Sequence, residues 1–178
     1  MKSCGPGRLA GMIAVMLVVV IVIAACGKSA TRGYFDAADP IFERHSTTMA
    51  NAESAMFLVA SASTSNSREP GTFDLSPDVS TATEFSTIFR ETAAAIEQDI
   101  ADWDRLSSAD IPEETAEYHA LIREVMSLRL DAMTGGRDVL DEMTSGGGNG
   151  DLSGAENAML EANDVLKSAL SEADQSRE

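Results

Sequence analysis

The chain has 178 residues, with 29 acidic against 13 basic side chains and a net charge of −16 at pH 7. A surface this acidic repels phosphate backbones and anionic headgroups, so nucleic-acid binding is excluded as a reading. Two cysteines, Cys4 and Cys26, both near the start, exclude a disulfide scaffold and a thiol active site in the rest of the chain.

In chain order, the first element is a basic head, Lys2 and Arg8, followed by seventeen residues, 9–25, with no charge and no proline. That order is what a secretion signal requires. The run also sits at the short limit for spanning a hydrocarbon layer of ~30 Å, so an uncleaved membrane helix is the competing reading. Small residues at the end of the run favour cleavage. Ile23-Ala24-Ala25-Cys26 resembles the processing motif of bacterial lipoprotein precursors, an aliphatic residue and two small ones before a cysteine, with Ile in place of the commoner Leu. The resemblance implies cleavage between Ala25 and Cys26, acylation of the Cys26 thiol, and a protein tethered to the cell membrane or outer membrane on its extracytoplasmic face. Gly27 is not the aspartate that retains such proteins at the inner membrane in some double-membrane bacteria. Two or three acyl chains, at about 0.8 kcal/mol per buried methylene, make release rare.

The predicted organisation is a signal peptide over 1–25, a lipidated tether over 26–38 and a helical domain over 39–178. Asp36 to Pro40 suits a helix N-terminus, since a first-turn proline loses no hydrogen bond. Phe35, Ala38, Phe42, His45, Met49, Ala52, Met56, Val59 and Ser63 then recur at steps of three and four, which is the stripe of a bundle helix. Pro70-Gly71 and Ser76-Pro77 break the pattern over 66–80, a link longer than the usual 2–8 residues. Thr81 and Glu84 form a capping-box pair, and the second helix carries Phe85, Ile88, Phe89, Thr92, Ile96, Ile100, Trp103 and Leu106 on one side.

A short turn over 107–112 leads to a third helix with Asp110 and Glu113 as caps. Its apolar face is Tyr118, Leu121, Ile122, Val125, Leu128, Ala132, Val139, Leu140 and Met143. Gly135-Gly136 lies within it, and each glycine costs about 1 kcal/mol relative to alanine, so the pair marks a kink or a close helix contact. Residues 145–150 are a glycine-rich break. Ser153 and Glu156 then cap a fourth helix whose stripe, Leu152, Ala155, Met159, Ala162, Leu166, Ala169 and Ala173, is rich in alanine. Four amphipathic segments without strand alternation predict an all-α, up-and-down-type four-helix bundle.

Chemistry is sparse. The glutamate and histidine three residues apart that di-iron bundles use does not occur; His45 and His119 each follow a glutamate by two. A calcium loop starting at Asn149 fails at its twelfth position, Leu160, where a glutamate is needed. With no nucleophile motif either, the sequence predicts no enzyme and no cofactor. Asp99, Asp102 and Asp104, and Asp138, Asp141 and Glu142, are read as water-facing clusters. A soft metal site from His45, Met49, Met56 and His119 is the alternative to methionines as core filler. Two functions remain: a tethered module that binds a protein or envelope component, with Cys26 as its contact to the membrane, and an envelope sensor or carrier holding a metal or small ligand in the bundle. The mature region, with Ile111-Pro112-Glu113 leading to His119, also resembles small uncharacterised helical lipoproteins of bacteria, a resemblance that implies no activity.

Overall fold

The computed structural model describes the backbone of residues 7–66, 79–106, 111–147 and 150–177, and the side chains of 30–59, 80–106, 111–147 and 150–176. It is an all-α four-helix bundle: α1 (Gly7–Asn66), α2 (Val79–Asp104), α3 (Ala116–Thr144) and α4 (Ser153–Arg177), with no strand among the described residues. Helices adjacent in sequence are adjacent in space. α1 lies on α2, α2 on α3 and α3 on α4, while α1 and α4 barely touch. The core is built from Trp103, Ile96, Ile122, Met126, Leu140 and Val125, all fully buried. Among the described residues no helix is long and apolar enough to cross a membrane. The side chains of 9–26, those of Ala25 and Cys26 included, lie outside the described residues, as do most of the 66–80 link, Asp110 and Asn149.

The first helix departs from the expected boundary. Residues 31–38, read as tether, are helical, and Thr31, Tyr34, Phe35 and Ala38 are buried. Pro40 is therefore inside the helix rather than in its first turn. An interior proline removes one backbone hydrogen bond and costs about 3 kcal/mol. Here Pro40 and Asp36, whose carbonyl loses its partner, are both exposed to water. Burial of Tyr34 and Phe35 on the preceding turns outweighs the local penalty, at roughly 1.5–3 kcal/mol for a fully buried large side chain.

The ends of the other helices are also set by neighbours that the local pattern did not single out. α2 starts at Val79, so Thr81 lies inside its first turn and is buried, not a terminal cap. A single 3₁₀ turn, Glu113–Thr115, precedes α3; Thr115 is buried and its N–H and hydroxyl both donate to the Pro112 carbonyl, at 2.9 and 3.0 Å. At the start of α4 the cap is Asp151, whose carboxylate accepts the Ser153 N–H at 3.0 Å and is held below its ordinary pKa by that bond. α3 ends as the glycine run predicts. Gly146 adopts φ +85°, and the N–H groups of Gly146 and Gly147 donate to the carbonyls of Met143 and Glu142, the paired bonds of a Schellman ending.

Gly135-Gly136 lies within unbroken α3, and the two glycines differ. A Cβ on Gly135 would meet nothing within 4 Å, whereas one on Gly136 would sit 2.6 Å from Phe89 Cε2. Gly136 is thus the close approach between α2 and α3.

Candidate functional site

Because α1 and α4 do not close on each other, the bundle keeps an open seam. Within it lies a groove of about 630 Å³, floored by α3 and walled by α1 and α4, with Phe89 of α2 at its base. Its size falls in the ~300–1,000 Å³ range of small-molecule sites. Met49 and Met56 come from α1, Met133 from α3, and Met159 with Leu166 from α4. Thioether side chains are unbranched and polarisable, so such a wall adapts to the shape of an apolar occupant. Ser46, Glu53, Glu156 and Asn163 supply the polar part of the lining. No histidine or cysteine lines the groove.

Arg129 projects into this groove from α3. Only 7 % of the residue is exposed, and its Nε has no hydrogen-bond partner. None of the described carboxylates lies within ion-pair distance of its guanidinium. Burial lowers its pKa from the ordinary value, but an arginine stays charged. A buried, unpaired cation is one of the least favourable groups a core can hold. In a chain with so many acids its isolation is the more unusual.

Behind Arg129 is a second buried centre. His45 is completely buried, with Nδ1 3.4 Å from Asp99 Oδ2 in a geometry that makes no hydrogen bond; Nε2 is also unpartnered. Its pKa is pushed down to about 4, first by burial and then by the nearby Arg129 charge, against the pull of Asp99. The imidazole is therefore neutral at pH 7. Asp99, 1 % exposed, accepts a 2.6 Å bond from Arg44 Nε, and Asp102 accepts one of the same length from Arg44 Nη2. The bond to Asp99 is the main cause that raises the Arg44 pKa. Asp99 is thus no water-facing acid: helical phase puts it in line with Thr92, Ile96 and Trp103, at steps of four, three and four. Asp102 and Asp104 do lie nearer the surface and pair with arginines, Asp104 with Arg123 at 2.7 Å; Asp141 accepts a hydrogen bond from Ser86.

The two histidines are not brought to one site. His119 stacks on Trp103 with ring centroids 5.0 Å apart, and Trp103 Nε1–H donates to the His119 carbonyl at 3.1 Å. The Tyr34 hydroxyl and His119 Nδ1 share a hydrogen bond of 3.1 Å; burial raises the Tyr34 pKa and lowers that of His119, so the neutral form of each is favoured. Tyr118 and Phe35 complete this aromatic cluster. Of the four soft-ligand candidates, Met49 and Met56 line the groove, His45 lies enclosed beside Asp99 and Arg129, and His119 belongs to the aromatic cluster. Among the described residues no group of three or more His, Cys, Asp and Glu side chains is placed to hold a metal ion.

Sequence reasoning passed over Arg129, although a signal for it exists. Val125, Arg129, Ala132 and Gly136 follow one another by four, three and four, so a charge stands in phase with the buried stripe. No family model matches the sequence, and no curated protein or solved structure shows significant similarity to it.

Proposed function

We propose that this protein is a lipid-anchored, extracytoplasmic helical-bundle module that binds a component of the cell envelope rather than catalysing a reaction. The observation that carries the reading is Ile23-Ala24-Ala25-Cys26 at the end of a charge-free run behind a basic head. The bundle is compatible with such an anchor: among the described side chains Thr31, five positions after Cys26, is already buried. At about 1.5 Å per helical residue, the groove-lining stretch that starts at Ser46 stands roughly 30 Å from Cys26 along α1. Large apolar side chains, Phe57 and Leu58 of α1 and Leu160 of α4, are exposed on the bundle surface.

Intact mass spectrometry of protein extracted gently from its own membrane tests the anchor. The expected mass is that of a chain from Cys26 carrying two or three acyl groups. An unprocessed N-terminus would overturn the reading. One observation favours the second function, a carrier or sensor with its ligand inside the bundle: the open groove with an unpaired buried cation.

A further inference from the structure

The carrier reading becomes specific when the groove is asked what it lacks. Its walls are dominated by methionine, leucine and alanine, and the charge buried in it is positive. An apolar occupant alone would leave Arg129 without a counter-ion; a small anion alone would leave the methionine walls wet. The occupant that answers both is amphiphilic and anionic. Its charge is also bounded, because Glu53 and Glu156 line the same groove and the chain as a whole carries −16. A monoanion suits Arg129, whereas a phosphate near −2 or a multiply acidic peptide meets added repulsion. The planar guanidinium fork matches a carboxylate in a bidentate pair.

We propose that the groove between α1, α3 and α4 binds a free fatty acid, its carboxylate on Arg129 and its single chain along Met49, Met56, Met133 and Met159. This deepens the carrier reading and does not depend on acylation of Cys26. The unpaired guanidinium is then the head-group site, and the small contact between α1 and α4 is the entry for the chain. Arg129 is buried at the floor rather than exposed at the rim, so a carboxylate that reaches it leaves water, where a charge-assisted pair is strongest.

The test uses the full chain in phosphatidylcholine nanodiscs and a palmitic acid analogue bearing a diazirine on its chain. After photolysis, labelled peptides are located by mass spectrometry. Labelling is expected on the segments around Met49, Met56 and Met159, saturable and displaced by unlabelled palmitic acid. Hexadecanol, with the same chain and no charge, should displace it far less well. Arg129→Met should weaken labelling by about 10- to 100-fold, the loss expected for hydrogen bonds to a charged group. Arg129→Lys, which keeps the charge without the fork, should fall between the two. Circular dichroism confirms that each variant is folded, and removal of an unpaired buried charge predicts that Arg129→Met melts no lower than the parent. Equal displacement by hexadecanol, unchanged labelling of Arg129→Met, or labelling confined to residues 9–25 would each overturn the proposal. Stronger displacement by lysophosphatidic acid than by palmitic acid would overturn the carboxylate assignment. The intact mass of the same preparation reads Cys26 acylation separately, so failure of the anchor and failure of the groove give different results.

Discussion

Acidification should destabilise this bundle chiefly through His45; His119, whose pKa burial also lowers, acts in the same direction. In the unfolded chain the His45 imidazole titrates near 6.5, and in the folded chain near 4. Between those values the unfolded state holds a proton that the folded state refuses, so stability falls as pH falls. The contribution is intact above pH 6.5 and fully lost below pH 4. At about 1.4 kcal/mol per pH unit, the gap corresponds to about 3 kcal/mol, a large share of a typical 5–15 kcal/mol fold stability. The groups facing His45 set the direction. Arg129 opposes the imidazolium, Asp99 favours it but is already engaged by Arg44, and complete burial decides the balance. Urea unfolding followed by circular dichroism at pH 7, 6, 5 and 4.5 measures the loss. A His45→Met variant, referenced to its own stability at pH 7, subtracts the carboxylates, which protonate lower still where ion pairs depress them, as at Asp102. The parent should lose about 2 kcal/mol more than the variant between pH 6.5 and 5. Parallel curves would refute the reasoning and mean that His45 is not held neutral by its surroundings.

Four further outcomes are expected. Gly135→Ala should stabilise the chain by about 1 kcal/mol, since helix propensity improves and nothing is displaced. Gly136→Ala should destabilise it by up to about 2 kcal/mol as the new methyl drives into the Phe89 ring, and urea midpoints for the pair would show whether the two glycines differ as described. Tyr34→Ala should cost about 3–5 kcal/mol in a thermal melt, whereas an unchanged melt would mean that the domain begins only after residue 38. Cys26→Ala should abolish both the acyl mass and processing, leaving an unmodified chain that retains residues 1–25, and an N-terminus and mass changed only by the substitution would mean that Cys26 carries no lipid.

Much of the architecture is legible in local pattern because helix formation is governed by residues three and four apart. The stripes of α2, α3 and α4, the glycine break after α3 and the all-α class follow from that spacing alone, as does the inward phase of His45. The resemblance of Ile23-Ala24-Ala25-Cys26 to a lipoprotein processing motif is likewise local, a matter of which residues precede Cys26. The tertiary structure decided what those faces meet. Asp99 is ion-paired rather than solvated because Arg44, fifty-five positions away, is brought beside it, and the aromatic cluster pairs Tyr34 with His119 across eighty-five. That long-range packing also carries α1 through Pro40 and buries Thr31, Tyr34, Phe35 and Ala38 ahead of it. Gly136 is a contact because Phe89 lies over it, and Arg129 is unpaired among the described residues because none of their carboxylates reaches it, as periodicity reports which face is buried but not the chemistry of the face opposite. The groove itself has no local signature: it exists because α1 and α4, the two ends of the helical order, leave their seam open.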